Sequence, residues 1–540
     1  MNDLASLSPP AEGTARYLEQ EVAEAVAIYS RLYPTQELDF LFYESRDPVW
    51  SAPSVIEGHV TYHPGLVTPE FLGRLRRPGA HPGAPRVTIT LGIPRPPLPS
   101  ELRQTDAPWR PQARLGALYA LSPLTYETVR YLAEMRRRRI GERIHARTSL
   151  PRGEGSALFA RGDEPTPGPR PAILVGMHWL EVGGAEKLAF DTIRWAHEAG
   201  LRVFVAASVP ALQRLADRLP DSEDVTFLRL DRYLPHHLWP RYLEELARAE
   251  NIRLVHIHHC RPLYDALPHL RVTCPWVQVI DSTHIVEYAD GGYPRTSGVW
   301  SNFIDLHHVI SGELVAYYRD NFHVLGKVRL GRMLERDELA APPPVFRMQP
   351  GQSRLHVAFI GRLYYQKRPV VVVEALRALA AWADRTGVKL SASMVGEGPF
   401  SDAVRALLRR YGLADKVTLM PADSDVPALL GRSDILLVPS NNEGLALVCY
   451  EAVSQGAIPI STDVGSQDEI IPPDLLVPLA PRAAVRGIVA AVDRLWRDKD
   501  FMERQRAGLL ARWQKIAADP TAREVLMPIY RQAAAGRSEG

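Results

Sequence analysis

"NNEGLALVCYEAVSQG", residues 441–456, sets two acids, Glu443 and Glu451, on either side of seven uncharged residues. A buried helix normally excludes carboxylates, because an unpaired charge is costly away from water. The preceding run, "DILLVPS" (434–440), reads as a buried strand, "NNEG" as a turn, and Leu445 to Ser454 as a helix. Glu443 is then expected ahead of the helix at the carboxyl edge of a sheet, and Glu451 about two turns into it. Their positions differ, so their tasks should differ, and the pair is expected to hold a ligand.

The same strand and helix grammar extends outward from this stretch. Carboxyl-terminal to a Pro-rich seam, "LAAPPPVFRMQPGQS" (339–353), strands are expected at "LHVAFIG" (355–361), "KLSASMVG" (389–396), "KVTLMP" (416–421), 434–440 and "AIPIST" (457–462). Before the seam the pattern is repeated by "AILVGMH" (172–178), "RVFVAAS" (202–208), "VTFLRL" (225–230), "LVHIHHC" (254–260), "WVQVIDSTH" (276–284) and "HHVISG" (307–312). Short apolar runs alternating with helical ones predict two doubly wound, Rossmann-like α/β halves, over residues 170–338 and 353–520, with a terminal helix over 521–540. A cleft should open between the carboxyl ends of their strands. Residues 1–165, ended by the linker "ARGDEPTPGPRP" (160–171), read as a mixed α/β accessory domain of unknown role. It has strands near 39–45 and 86–92 and helices near 15–33 and 124–144.

Composition sets limits. A chain of 540 residues is too long for one core, and 64 basic against 62 acidic residues lack the excess expected of a nucleic-acid binder. Three cysteines, Cys260, Cys274 and Cys449, with no CxxC pair, favour a reducing compartment, so a cytoplasmic protein is the expectation. The first residues show no secretory signal, and no run approaches the length of a membrane span.

Two further motifs stand at expected strand exits. In "HWLEVGGAEKLAF" (178–190), Gly183 and Gly184 let backbone approach a ligand, and the following helix offers unpaired N–H groups to an anion. An ordinary strand-to-helix turn reads the same way locally. In "FIGRLYYQKRP" (359–369), Arg362 can grip phosphate oxygens through parallel hydrogen bonds while Lys367 adds a point charge. Taken alone, a solvated basic turn would fit as well.

The order of "GGAEK", "GRLYYQK", "VGEGP" (395–399), "VPSNNEGLALVCYEA" and "GAIPISTDVGSQDEI" (456–470) resembles retaining glycosyltransferases of family four, which have the GT-B fold. The likeness covers about residues 170–520 and is stronger in the carboxyl-terminal half. It implies transfer of a sugar from a nucleotide-diphosphate donor to a saccharide, lipid-linked or protein acceptor, in glycan or glycoconjugate synthesis of bacterial type, with no cofactor and no metal. It also implies residue roles. Glu443, with Gly444 and Leu445 beside it, would hold the donor sugar, and Glu451 the ribose. Arg362, Lys367, Gly183 and Gly184 would bind the diphosphate, and His284 would lie near the transferred sugar and the acceptor. Two departures stand out: Arg368 follows the phosphate-motif lysine where the family usually has a small residue, and "RLGRMLERDE" (329–338) lacks the family's interdomain turn.

Other signals compete. His256, His258 and Cys260 fall on one face of a strand and invite a metal reading, against that of a polar strand end facing the cleft. "RYLAEMRRRRIGERIHAR" (130–147) carries seven arginines, which suit a solvated helix face or, as peripheral membrane contact, an anionic lipid surface. A degenerate scaffold, a glycan-binding protein and a nucleotide-sugar epimerase are the alternative functions.

Overall fold

The computed structural model describes residues 12–58, 68–97, 107–147, 169–181, 184–287, 290–324, 326–339 and 345–536. Two parallel sheets form its two lobes. The first has seven strands in the order Val328–Leu330, Leu306–Val309, Gln278–Thr283, Ile252–His258, Ala172–Met177, Arg202–Ala207, Val225–Leu228. The second has six, in the order Val417–Met420, Lys389–Val395, Arg354–Ile360, Ile435–Val438, Ile458–Thr462, Leu476–Val477. Strands Ala172–Met177 and Ile435–Val438 are buried at every position, as helices on both faces of a parallel sheet require. This is the GT-B arrangement of two Rossmann-like lobes.

Strand order places the crevices. In the first lobe Ala172–Met177 pairs with Arg202–Ala207 on one side and Ile252–His258 on the other. In the second, Arg354–Ile360 lies between Lys389–Val395 and Ile435–Val438. The order in which successive strands are added switches sides at these strands, so the loops at their carboxyl ends splay apart and leave room for a ligand. The loops after residues 177, 258, 360 and 438 therefore face the lobe junction.

Of residues 1–165, expected as one accessory domain, those described divide between the lobes. Helix Glu12–Leu32 and a four-stranded mixed sheet share a hydrophobic core with the first lobe, in which Tyr29, Phe40 and Ile89 pack with Leu174, Trp239 and Leu267. A buried ion pair, Arg232 to Glu21 at 2.5 Å, ties the same parts together. Helix Pro123–Arg147 lies instead on the second lobe. Trp109, just ahead of it, stacks on Phe400 with ring centroids 4.4 Å apart. Sequence periodicity found both helices but carries no information about which lobe each covers. The terminal helix Ala522–Ala534 returns to the first lobe, where Leu526 and Tyr530 are fully buried.

Histidines fill much of the first lobe's polar interior. His256 shares hydrogen bonds with the hydroxyls of Tyr530 (2.7 Å) and Ser282 (2.8 Å), and His258 with that of Thr192 (3.0 Å). Ser282 continues to His308 at 2.9 Å. No group of three or more His, Cys, Asp or Glu among the described residues has the placement of a metal site, and His256 and His258 are engaged by hydroxyls. Among the same residues no helix is long and apolar enough to cross a membrane.

Burial, first, holds the imidazoles of His256, His258, His259, His284 and His308 below their ordinary range, His259 and His308 at about 4. The unfolded chain takes up protons on these rings as pH falls through about 6.5, while the native state does not, so stability is full above that pH and declines below it. The thermal midpoint should fall steadily from about pH 7 to about pH 5, above the range where carboxylates titrate. A level midpoint by calorimetry across that window would contradict this.

Candidate active site at the lobe junction

Glu443 and Lys367, taken from two different motifs, meet directly. Lys367 Nζ donates to Glu443 Oε1 at 2.5 Å, with the side chains 22% and 7% exposed. Adjacent sheet exits bring them together, and the two loops are joined by hydrogen bonds. Gln366 Nε2 donates to the Asn442 carbonyl at 2.9 Å, and Asn441 N–H donates to the Gln366 carbonyl at 2.8 Å.

The turn carrying Glu443 is gripped by backbone on both sides. A Cβ on Gly444 would lie 2.0 Å from the His284 carbonyl oxygen, and one on Gly465, whose φ is +56°, would lie 1.9 Å from the Glu443 carbonyl oxygen. Only glycine allows such an approach. Leu445 is buried in the core of the first lobe although it belongs to the second. Its packing there holds Leu445 and Ala446 out of the helix, which runs Leu447–Ser454 rather than from residue 445. Glu451 therefore stands a little over one turn in, not two. Cys449, on the same helix, has its thiol pushed well up by burial, then by the Glu443 and Glu451 carboxylates, with Lys367 opposing. Both acids therefore act on the same buried thiol.

His284 is 6% exposed, and neither of its ring nitrogens has a hydrogen-bond partner among the described residues. Leaving a buried polar group unmatched costs about 1–3 kcal/mol. Its ring lies edge-on to His259, with centroids 4.9 Å apart, and His259 stacks on Tyr293 at 4.5 Å. The Tyr293 hydroxyl pairs with His178 at 3.2 Å. The Glu443 turn packs against the backbone of His284, at one end of this imidazole and phenol cluster. His259 and Tyr293 were missed in the sequence. Strict alternation turns His259 away from His256 and His258, but it stands after the strand end with φ +54°, which redirects it.

Gly184 opens the helix Gly184–Glu198, and Gly183 lies outside the described residues. Glu186, in that helix's first turn, accepts from Trp179 Nε1 at 2.8 Å. Burial raises its carboxyl, and Trp179 and Arg362, the latter on the opposite lobe, pull it back. Arg362 itself is exposed, with its guanidinium 5.0 Å from the Tyr364 ring centroid, and its charge is felt at Glu186 across the junction. An anion bridging Arg362 and that helix terminus would be met by charge on one side and backbone N–H groups on the other.

Arg368 has a structural explanation. Its φ of +51° is the left-handed conformation that suits glycine, and the buried side chain donates to the Leu479 carbonyl at 2.6 Å while its guanidinium lies 5.8 Å from the Tyr131 ring centroid. The strained arginine fastens the 123–147 helix to the loop that carries Lys367. Farther along the junction, Glu469 Oε1 accepts from the Gly312 N–H at 2.7 Å, and Glu469 Oε2 pairs with Arg332 at 2.6 Å.

Comparison with known proteins agrees with this architecture. The family model described as glycosyl transferases group 1 matches residues 349–508, the second lobe. D-inositol 3-phosphate glycosyltransferase of Segniliparus rotundus is 26% identical over 201 residues, 35% of this chain and 44% of that protein. A subunit of phosphatidylinositol N-acetylglucosaminyltransferase from Arabidopsis thaliana is 26% identical over 174 residues, 32% of this chain and 38% of that protein. The chain thus spans less than half the length of these curated relatives. Among solved structures, a glycosyltransferase from Rickettsia africae superposes with a TM-score of 0.50 at 16% identity, over 68% of this chain and 100% of that one. Sucrose-phosphate synthase from Thermosynechococcus elongatus does so with a TM-score of 0.50 at 19% identity, over the same shares. At these identities the two structures establish the fold, a GT-B pair of lobes.

Two expectations follow from the junction. Gly444→Ala should force the lobes apart, measured as a larger radius of gyration by small-angle scattering; an unchanged radius would mean that the turn yields instead. At residue 368, Arg368→Ala keeps the strain and loses the hydrogen bond, whereas Arg368→Gly loses the bond but also relieves the strain. Stability should fall in the order wild type, glycine variant, alanine variant, with the alanine variant about 1–3 kcal/mol below wild type by denaturant titration.

Proposed function

We propose that this protein transfers a glycosyl group from a nucleotide-diphosphate sugar to a hydroxyl acceptor with retention of configuration. The observation that carries this reading is the shielded Lys367 and Glu443 pair at the lobe junction, opposite a buried His284 whose ring nitrogens are unmatched. The match of residues 349–508 to group 1 glycosyl transferases supports it. Relatives named for inositol phosphate and phosphatidylinositol favour a hydroxyl acceptor.

In this reading the bond between the anomeric carbon and the diphosphate oxygen breaks, leaving oxocarbenium-like charge on the sugar and negative charge on the leaving group. Arg362, Lys367 and the N–H groups at the start of Gly184–Glu198 receive the departing charge, a role that needs no added cation. Glu443 holds donor-sugar hydroxyls, and Glu451 the ribose. The acceptor oxygen enters on the leaving-group face, forms the new bond to the anomeric carbon, and passes its proton to a phosphate oxygen. His284 and the His259 and Tyr293 wall border the space for sugar and acceptor.

With no donor bound, Lys367 neutralises Glu443; with a diphosphate bound, it is shared. Glu443→Gln should therefore bind nucleoside diphosphate at least as tightly as wild type while transfer falls about a hundredfold or more. A thermal-shift series with UDP, GDP, ADP and TDP identifies the nucleotide, and product formation from the matching donor sugar gives the rate. Wild-type turnover in the glutamine variant, or no stabilisation by any nucleotide, would refute the assignment.

A further inference from the structure

Helix Pro123–Arg147 has one face fixed to the protein and another left open. The inner face is held at several points: Tyr365 Oη donates to Glu134 Oε2 at 2.5 Å, Arg138 Nη2 to the Asn441 carbonyl at 3.3 Å, and Arg482 Nη2 to Thr125 Oγ1 at 2.7 Å. Arg130 turns inward too, over the Tyr365 ring at 3.9 Å. The arginine run is thus sorted by the helix. Arg130 and Arg138 serve the fold, while Arg136, Arg137 and Arg139 are exposed.

The outer face is unusual in what accompanies those arginines. Val129 is 37% exposed, Leu132 60% and Ile140 49%, and Leu121, at the end of the short helix just before, is 79% exposed. At 100° per residue, Val129, Leu132, Arg136, Arg139 and Ile140 fall within about 100° of arc, with Arg137 on its flank. Glu134, the only acid between residues 129 and 140, is turned inward. Aliphatic side chains interleaved with arginines, with no carboxylate on the same arc among the described side chains, match the chemistry of an anionic phospholipid surface: the chains enter the acyl boundary and the guanidinium groups meet the phosphates.

We propose that this face docks the protein on an anionic lipid bilayer. A single-stranded nucleic acid would need aromatic rings to stack its bases, and the face has none. The contacts of Glu134 and Arg138 tie the helix to the loops carrying Lys367 and Glu443, so docking holds the lobe junction about one helix diameter, roughly 10 Å, from the lipid surface. A hydroxyl acceptor exposed at that surface would be within reach of the cleft. The docking itself does not depend on the transfer reading.

The test is flotation of the full chain with vesicles of mixed phosphatidylglycerol and phosphatidylcholine, against phosphatidylcholine alone. Wild type should bind the mixed vesicles, less strongly at high salt, and bind the neutral ones poorly. The double variant Arg136→Glu/Arg139→Glu should bind about tenfold more weakly or worse. Leu132→Ser should weaken binding at low and high salt alike. Arg385→Glu/Arg409→Glu, which makes the same change of charge at exposed positions elsewhere, should bind as wild type does, and all variants should melt with wild type. No binding to anionic vesicles, equal loss in the two double variants, undiminished binding by Arg136→Glu/Arg139→Glu, or capture by a single-stranded oligonucleotide in place of vesicles would overturn the proposal.

Discussion

A carboxylate almost removed from water needs a cation beside it, and for Glu443 that cation is Lys367. Meeting this requirement constrains much of the second lobe. The two residues sit on loops after neighbouring parallel strands, Arg354–Ile360 and Ile435–Val438, so the sheet order must be the observed one for them to touch. Gln366 must join the loops, and glycine must stand at 444 and 465 for the turn to fit between two backbones. Removing one partner would strand the other in a poorly solvated place.

The second constraint joins the lobes. Glu469 caps the start of the Gly312–Phe322 helix and pairs with Arg332, which also holds Asp519 at 2.7 Å. Charges at a helix amino terminus and at the interlobe crossing thus share one arginine and two acids. Leu445 adds an apolar contribution by burying itself in the opposite core. His284, Glu443 and Lys367 share a site because these contacts bring the two sheet edges together.

Much of this was legible in the sequence. The buried strands announced themselves as continuous apolar runs, and Lys367 and Glu443, which meet at the junction, stood just past the carboxyl ends of two of them, where strand order opens a crevice. Val328–Leu330 and Leu476–Val477 escaped notice because edge strands of three and two residues have no period to read. The start of the Leu447–Ser454 helix was misplaced because Leu445 answers to a core that is distant in sequence. Arg368 looked like a departure from a glycine position, but its reason, a carbonyl at residue 479 and a ring at residue 131, is tertiary. The lobe assignment of residues 12–147 was beyond periodicity for the same cause: an amphipathic helix declares that it covers something, not what it covers.

The path of the chain has a mechanical consequence. Among the described residues, those within 12–97 pack with the first lobe, 107–147 with the second, those within 169–339 with the first, 345–517 with the second and 522–534 with the first, so each lobe is assembled from separate stretches of chain. A two-lobed body with a single connecting strap can swing about any axis through it. Here the crossing near residues 518–521 is pinned to the first lobe where Arg332 holds Asp519 and bridges Thr521, so the opening and shutting of the mouth must turn close to that fastening.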